Sequence, residues 1–309
     1  MGIPFSKAAE EGNNVIIVDC MNLAFSFFRK SNTPDQGFLD DLINIDIDNQ
    51  GSRFAQPEVM EFHEEYLALI NSLKKSYKAK YVICAADKGQ SSYRLNLHPE
   101  YKGNRKKKVS EQTDAEAEQF KQFFAGYQVC LNHIQETTEY PLLQYANVEA
   151  DDIAAYICGL KLPVEHTVLI STDKDWDLLL SDKVSRFSYV TRKDYTKDNW
   201  ATRYDFSIED YISIKCLQGD SGDNVFGVRG VGPKRAEALV AQYGSALDIL
   251  DALPLDSKLK YIQDLNESGG LIELNYRLMD LVTFCEEAVG ADNCISVKET
   301  LGEYFGCEL

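Results

Sequence analysis

This 309-residue chain has no long hydrophobic run, few histidines and no paired cysteine motif. No stretch approaches the roughly 18 apolar residues of a membrane span, and residues 1–14 are polar, without the apolar segment of a secretory signal. We therefore expect a cytoplasmic protein without membrane contact. The eight cysteines are scattered, which argues against a zinc or disulfide framework. The four histidines are isolated, so a histidine-based catalytic site is not expected.

Acidic residues outnumber basic residues by 49 to 32, and the net charge is −17. Taken as a whole, this charge argues against nucleic-acid binding. The distribution changes that interpretation, because residues 88–108 hold seven bases and one Glu, a local charge of +6. A protein that binds a polyanion needs only such a patch to face it. Residues 31–65 have the opposite excess, nine acids and one Arg, and we expect their turn-rich part, 31–58, to form a long loop.

Three short apolar runs each lead into an aspartate. The runs end at Val18, Ala86 and Ile170, with an Asp following within zero to two residues. Such runs are typical of buried strands, and the helical patterns between them predict a mostly parallel sheet. Ligands bind at the carboxyl ends of the strands in such sheets. We therefore expect three aspartates to converge at one edge of the sheet: Asp19, Asp87 and Asp173.

Two dense acidic clusters flank the third strand. They are Glu149-Ala-Asp151-Asp152 and Asp173-Lys-Asp175-Trp-Asp177. One interpretation is helix capping, because acids favour a first helical turn and residues 171–173 would cap a helix that runs through Leu180. The other is a metal site, because carboxylates this close repel one another unless a cation lies among them. Capping does not explain why acids follow every central strand, so the metal site is favoured.

Nine carboxylates are candidates for one site, and no Cys or His accompanies them. An all-oxygen ligand set selects Mg²⁺ or Mn²⁺ over zinc. So many charges need more than one ion, and two ions would suit the hydrolysis of a phosphodiester. The nine candidates are Asp19, Asp87, Glu149, Asp151, Asp152, Asp173, Asp175, Asp220 and Asp223.

Basic, aromatic and glycine-rich segments supply groups that would contact a nucleic acid. Lys102 and Arg105 would touch the scissile phosphate, and Tyr101 would stack on a neighbouring base. At residues 230–235, a turn before a helix exposes backbone N–H groups that can hold a phosphate, although an ordinary glycine-rich helix connection has the same pattern. The remaining candidates for DNA contact are Lys106, Lys107, Lys108, Gly230, Gly232, Lys234 and Arg235.

Six motifs appear in a specific order along the chain. They are Ile17-Val18-Asp19 with Asn22-Leu23, Asp87-Lys88-Gly89, Tyr101-Lys102-Gly103-Asn104-Arg105, Val148-Glu-Ala-Asp-Asp152, Ser171-Thr-Asp-Lys-Asp-Trp-Asp177 and Gly219-Asp-Ser-Gly-Asp-Asn224. The set resembles the 5′-nuclease (flap endonuclease) family. It is most similar to the stand-alone bacteriophage enzymes and to the N-terminal nuclease domain of bacterial DNA polymerase I. The resemblance covers about residues 14–285.

The resemblance implies an α/β fold, with a mostly parallel central sheet flanked by helices in a PIN-like nuclease core. It implies four regions: a polar N-terminal tail (1–13), a nuclease core (14–204), a helix-hairpin-helix-type region (205–290) and a C-terminal tail (291–309). The core would contain a helical arch at 88–135, through which a 5′ single strand is threaded. In the third part, Lys215 to Tyr243 would be a helix–three-turn–helix module. That module would grip duplex DNA, with Lys215 among its contacts, and hold K⁺ on its hairpin carbonyls.

The resemblance also implies roles for the candidate residues. Asp19, Asp87, Glu149, Asp151, Asp152 and Asp173 match a first-metal cluster, and Asp175, Asp220 and Asp223 match a second, with Asp173 shared or nearby. Lys102 and Arg105 match catalytic residues at the base of the arch, and Asp177 is expected to be structural.

The implied function is that of a Mg²⁺-dependent, structure-specific 5′ nuclease. It would cut 5′ flaps and also act as a 5′→3′ exonuclease in replication and primer removal. Branched DNA and RNA–DNA primer junctions would be its partners, and we expect a monomer in the host cytoplasm. The alternatives are a PIN-like RNase and a non-catalytic branched-DNA-binding protein.

Overall fold

A computed structural model describes residues 12–32 and 57–309, apart from the side chains of 29–32, 57–61 and 106–108. Most of the predicted N-terminal tail (1–13) and most of the predicted loop at 31–58 therefore lie outside the described residues. In the described part, the main sheet has the strand order β3–β2–β1–β4–β5–β6. Its strands are β1 Asn14–Asp19, β2 Ala79–Ala85, β3 Leu142–Leu143, β4 His166–Ile170, β5 Val184–Ser188 and β6 Lys193–Tyr195.

Helices alternate with the strands of this sheet, as the sequence predicted. Neighbouring strands of this sheet are parallel, except for β5 and β6, which are antiparallel. The helices are α1 Cys20–Asn32, α2 Pro57–Ser76, α3 Ser92–Leu97, α4 Gly103–Ser110, α5 Asp114–Thr137, α6 Ala150–Gly159, α7 Ile208–Gln218, α8 Pro233–Tyr243, α9 Ala246–Ala252, α10 Lys260–Asn266, α11 Gly269–Met279, α12 Leu281–Val289 and α13 Ala291–Phe305.

The central strand β1 is buried on both faces. Successive side chains of a strand point to opposite sides, so Ile16 and Val18 join one apolar cluster while Val15 and Ile17 join another. The first cluster includes residues of α1, α2 and α5, and the second includes residues of α6, α12 and α13. A parallel sheet covered on both faces is the arrangement that continuous β-branched runs predict.

The segment predicted as an arch is shorter than expected. The range 88–135 contains α3, α4 and most of α5, and Thr113 forms a capping box with Glu116 at the start of α5. From Phe120 onward, however, α5 buries one side in the nuclease core through Phe123, Tyr127 and other residues of the first cluster. The predicted range was therefore wrong at its C-terminal end, because this half of the helix packs against the sheet's layer of helices.

The last part of the chain also differs from its prediction. Residues 291–309 were expected to form a tail, but α13 occupies 291–305 and buries Cys294, Val297 and Leu301 in the second cluster. The Tyr304 hydroxyl accepts a hydrogen bond of 3.1 Å from the backbone N–H of Val82 in β2. This helix covers one face of the sheet, so the expectation of a tail was wrong.

Two smaller points complete the description of the fold. Helix α1 begins at Cys20, directly after β1. The helices from α7 to α11 form a third apolar cluster of their own, which a two-stranded hairpin, β7 Gly219–Asp220 and β8 Val225–Phe226, joins to the nuclease core. The eight cysteines are free thiols, and six of them are buried.

Candidate active site

The carboxyl ends of β1, β2 and β4 form the wall of one polar cavity. The parallel register pairs Asp19 with Ala85 and Val18 with Ile170, so the residues that follow these strands start from the same edge. The cavity has a volume of about 20 Å³, which is room for about one water molecule. It is lined by Asp19, Met21, Asn22, Asp87, Lys102, Asp151 and Asp173.

We call Asp19, Asp87, Asp151 and Asp173 the cavity carboxylates. Each accepts hydrogen bonds that fix its orientation, and none forms an ion pair within the described residues. Asp19 accepts from the Ser171 hydroxyl (2.7 Å) and from the Asn22 N–H (3.1 Å). The other donors are the Ala150 N–H to Asp87 (2.9 Å), the Trp176 indole N–H to Asp151 (2.6 Å) and the Asp175 N–H to Asp173 (2.8 Å).

Burial and mutual repulsion raise the pKa of every cavity carboxylate. Burial and then the charge of Asp87 raise the pKa of Asp19 to about 8. Burial and then Asp175 raise the pKa of Asp173 to about 6. The pKa of Asp151 is well above its ordinary value because of burial and then Asp173, and burial followed by Glu149 raises the pKa of Asp87. A carboxylate group in this state would be stabilised by a cation in the cavity.

A second set, the paired carboxylates, consists of Glu149, Asp152, Asp175, Asp220 and Asp223. The Lys102 ammonium lies 2.8 Å from Glu149 Oε1. Although burial favours the neutral carboxyl group, Lys102 and Arg94 hold the pKa of Glu149 below its ordinary value. The pKa of Asp223 is also lowered against burial, by Lys102 and Arg105.

Arg94 donates hydrogen bonds to the two Asp152 oxygens from its two terminal guanidinium nitrogens, Nη1 and Nη2, at 2.6 and 2.8 Å. Its Nε donates to the Leu278 carbonyl at 2.9 Å, and the residue is buried. Burial nevertheless raises the pKa of Asp152 more than Arg94 lowers it. Both Asp152 oxygens face the arginine and the side chain does not line the cavity, so the assignment of Asp152 to the first-metal cluster stays a prediction.

The three remaining paired carboxylates contact two cations and a tyrosine. Lys215 contacts Asp175 and lies 3.4 Å from Asp220, and these acids raise its pKa although burial lowers it. Arg105 contacts Asp223, and the Tyr101 hydroxyl donates to Asp223 (3.0 Å) and Glu149 (3.1 Å). The paired carboxylates therefore already have positive neighbours or hydroxyl donors.

Two predicted DNA contacts are buried instead. Tyr101 is 2% exposed and Lys215 is 9% exposed, so neither can reach a base or a DNA backbone in this conformation. Both contacts stay predictions, and each would require the side chain to leave partners that come from distant segments, which the sequence does not reveal. The candidates Lys106, Lys107 and Lys108 lie in α4, but their side chains are outside the described part of the chain.

Lys102 itself lies where the sequence placed it, at the base of the predicted arch. It has a φ of +54°, which is uncommon for a residue with a side chain. Its N–H donates to the Asp223 carbonyl at 2.9 Å, and its side chain lines the cavity. Such a conformation persists only where surrounding contacts hold it, and it is frequent in active sites.

Some residues of the site were not predicted from the sequence. Arg94 was missed because α3, with the sequence Ser-Tyr-Arg-Leu-Asn-Leu, carries no pattern that distinguishes a buried arginine from an exposed one. Asn22 accepts hydrogen bonds from the Thr172 N–H and hydroxyl, both at 2.8 Å, and lines the cavity. Asp177 was expected to be structural, and it is fully buried between Arg186 and Arg203, at 2.7 and 2.6 Å.

The capping interpretation of the second acidic cluster holds in part. Asp173 accepts the N–H of Asp175, where a 3₁₀ helix, Asp175–Leu179, begins. The predicted helix through Leu180 is therefore only this short turn. Asp173 both caps the turn and lines the cavity.

The donor chemistry of the cavity fits a hard divalent cation. Its four carboxylates provide oxygen ligands only, in a buried space, and oxygen ligands suit Mg²⁺ and Mn²⁺. Within the described residues, however, no three acidic, histidine or cysteine side chains converge into a preformed ligand cluster. The carboxylates would therefore have to move closer together to hold an ion.

The glycine-rich turn lies apart from the cavity, at the start of α8. Gly230 has a φ of +77°, and Pro233 occupies the first turn of α8. Arg235 donates to the Gly230 carbonyl at 2.6 Å, and its guanidinium lies 4.4 Å from the Tyr261 ring centre. An open recess of about 460 Å³ is lined by Gly230, Gly232, Pro233, Lys234 and Arg235.

Family models match nearly all of the described chain. Residues 14–205 match the 5′-3′ exonuclease, N-terminal resolvase-like domain, and residues 206–300 match the 5′-3′ exonuclease, C-terminal SAM fold. The chain is a member of the 5′-3′ exonuclease family. This membership confirms the family, the α/β fold class and the enzyme class that the sequence predicted.

Individual relatives agree with this assignment. The chain is 40% identical to the flap endonuclease of Escherichia phage T5 over 278 residues. The match covers 88% of this chain and 94% of the relative. It is 29% identical over 230 residues to DNA polymerase I of Bacillus subtilis, covering 71% of this chain and 24% of that protein.

A solved structure shows the same fold. It is that of a variant of the bacteriophage T5 D15 flap endonuclease in a pseudo-enzyme-product complex with DNA and metal ions. The TM-score is 0.81 at 39% identity, with 95% of this chain and 99% of that chain covered. In this 5′-3′ exonuclease, none of the helices in the described ranges has the length and apolar character needed to cross a bilayer.

Proposed function

We propose that this protein is a Mg²⁺-dependent, structure-specific nuclease that hydrolyses DNA near single-strand/duplex junctions. It would act both as a flap endonuclease and as a 5′→3′ exonuclease. The observation that carries this proposal is the cavity, which is lined by three aspartates at the carboxyl ends of parallel strands, by Asp151 of α6 and by the side chain of Lys102. Membership of the 5′-3′ exonuclease family and the similarity to the phage T5 flap endonuclease support it.

The cavity carboxylates would hold the first divalent ion. Asp175, Asp220 and Asp223 would hold the second, once Lys215 and Arg105 move away from them. When bound, two such ions supply an activated water molecule and stabilise the attacking and leaving oxygens. Mn²⁺ would substitute for Mg²⁺ because it prefers the same oxygen ligands.

Lys102 and Arg105 would bind the scissile phosphate. Both are buried beside acids: Lys102 contacts Glu149, and Arg105 contacts Asp223. A phosphate that enters the cavity offers these cations a new anionic partner, and cations placed there stabilise the charge that develops in the transition state. The present contacts keep the two side chains ordered and close to the reaction site.

Duplex DNA would be held by the turn at 230–235, through backbone N–H groups and the charges of Lys234 and Arg235. A K⁺ ion would bind the carbonyls of the same hairpin. The substrates would be branched or 5′-flap DNA and RNA–DNA primer junctions, handled by a monomer during replication and primer removal. Because the T5 relative is a phage protein, the proposed place of action is the host cytoplasm.

A 5′-flap DNA substrate incubated with Mg²⁺, and separately with EDTA, tests this proposal. We expect a cut near the junction with Mg²⁺ and none with EDTA, leaving 5′-phosphate and 3′-hydroxyl ends. Asp182→Asn, which changes an aspartate with an 84% exposed side chain, is the matched control and should cut at the wild-type rate.

Two results would replace the proposal with an alternative. Cleavage of an RNA substrate of the same shape, with the DNA flap left intact, would support a PIN-like RNase. Binding of the flap without any Mg²⁺-dependent cut would support a non-catalytic branched-DNA-binding protein.

A further inference from the structure

Phe226 is an aromatic side chain on the surface of the protein. Among the large apolar residues that are exposed in the described chain, it is the only aromatic one and the most exposed, at 67%. Single exposed aliphatic residues are ordinary on a protein surface. A phenyl ring with two thirds of its surface in water is less common, and its surroundings suggest what covers it.

The backbone that carries Phe226 is fixed on both sides. Phe226 pairs with Gly219 in the β7–β8 hairpin, and the preceding residue, Val225, is buried. The Asn275 amide donates to the Phe226 carbonyl at 2.8 Å and to the Cys216 carbonyl at 2.8 Å. A contact made by this ring would therefore cost little conformational entropy, because the backbone is already ordered.

Phe226 lies between the two places where DNA would be held. It follows Asp223 by three positions and precedes Gly230 by four, so the Cα atom of Phe226 lies within about 11 Å and about 14 Å of theirs even in a fully extended chain. One strand of DNA advances about 3.4 Å per nucleotide. A strand that passes from the glycine-rich turn to the reaction site therefore comes within about four nucleotides of this ring.

The charge around Phe226 favours a polyanion. Residues 224–236 contain Arg229, Lys234 and Arg235 and no acid, in a chain with a net charge of −17. All three side chains are exposed. By contrast, the exposed Leu247 lies beside an acid, Asp248.

We propose that the ring of Phe226 stacks on a nucleobase of the bound DNA at the single-strand/duplex junction and thereby sets the register of the substrate. This role rests on the proposed function, because it needs a DNA strand between the carboxylates and the glycine-rich turn. Stacking on an aromatic ring tolerates any base, since every base has a π face. Phe226 would thus position the junction without reading its sequence.

The variant Phe226→Trp gives a direct optical test. The chain has two tryptophans, Trp176 and Trp200, and both are buried, so a third one at position 226 would report mainly on its own contact. Saturating 5′-flap DNA in EDTA should quench its fluorescence strongly. Ile295→Trp, at a position 55% exposed on α13, is the matched control and should show little quenching.

Binding and cleavage by further variants complete the test. Phe226→Ala should bind the flap about tenfold more weakly and cut at more scattered positions, while Phe226→Trp should restore both. If Phe226→Trp is not quenched, or if Phe226→Ala binds and cuts like the wild type, the stacking proposal is wrong. If the wild type neither binds nor cuts the flap, the proposed function fails first, so the two failures are distinguishable.

Discussion

The cavity carboxylates and the paired carboxylates lie side by side, yet they differ in how their charge is balanced. Glu149, Asp152 and Asp223 each have an arginine or lysine within ion-pair distance. The cavity carboxylates have hydrogen-bond donors only, and burial raises their pKa values, to about 8 for Asp19 and about 6 for Asp173. Basic side chains of the protein therefore balance charge among the paired carboxylates, whereas a bound ion would balance the charge of the cavity carboxylates.

This difference separates two kinds of buried acid. A buried acid with a built-in partner contributes to the folded structure, and removing either partner leaves an uncompensated charge. A group of buried acids without such a partner lowers stability in the absence of metal, and a bound cation offsets the repulsion between them. Loss of one charge from the cavity set should therefore raise stability in the absence of metal, whereas loss of one partner from a buried ion pair in the paired set should lower it.

The largest effect on activity is expected from Asp173→Asn. Loss of one carboxylate from the cavity should reduce the cleavage rate by about 10⁴-fold, equivalent to several kcal/mol of barrier, while the affinity for flap DNA in EDTA stays near that of the wild type. Single-turnover cleavage with saturating enzyme measures the rate. A rate within tenfold of the wild type would remove Asp173 from the metal site.

Arg94→Met sharpens the comparison from the side of the paired carboxylates. It leaves Asp152 buried without its guanidinium partner, so the free energy of unfolding should fall by about 3–5 kcal/mol, as measured by urea denaturation. The double variant Arg94→Met with Asp152→Leu should recover most of this loss, because both charges are gone. If Asp152→Asn alone abolishes cleavage without changing stability, Asp152 is a metal ligand after all.

Lys102→Ala tests whether a cation that contacts Glu149 also acts on the substrate. We expect the turnover number to fall by about 10²–10³-fold, with a much smaller change in the dissociation constant of the flap. Lys193→Ala, an exposed lysine of β6, is the control. Equal losses of rate and affinity would reduce Lys102 to an ordinary phosphate contact.

The convergence of the strand-end aspartates was predictable, because the carboxyl ends of parallel strands meet at one edge. The partners of the acids were not predictable: Arg94 reaches Asp152 across 58 residues, and Lys215 reaches Asp175 across 40. Such pairs depend on which distant segments the fold brings together, which local patterns do not encode. For the same reason, the burial of Tyr101 and the docking of α13 on the sheet were missed.

The smallest effect is expected from Lys234→Ala, which changes a cation outside both carboxylate sets. It should weaken flap binding to a similar extent for every sequence and reduce the slope of log K against log salt by about one. Titrations at several salt concentrations measure this slope. An unchanged slope would mean that the turn at 230–235 does not contact a phosphate.

The central claim, that the cavity carboxylates await a divalent cation, is tested most directly by the melting temperatures of the wild type and Asp151→Asn in EDTA and in Mg²⁺. Asparagine keeps the oxygen that accepts the Trp176 indole N–H but removes one charge. The account predicts that Asp151→Asn melts above the wild type in EDTA, because repulsion is relieved, and gains less from Mg²⁺ than the wild type does. A variant that melts below the wild type in EDTA and gains equally from Mg²⁺ would contradict it.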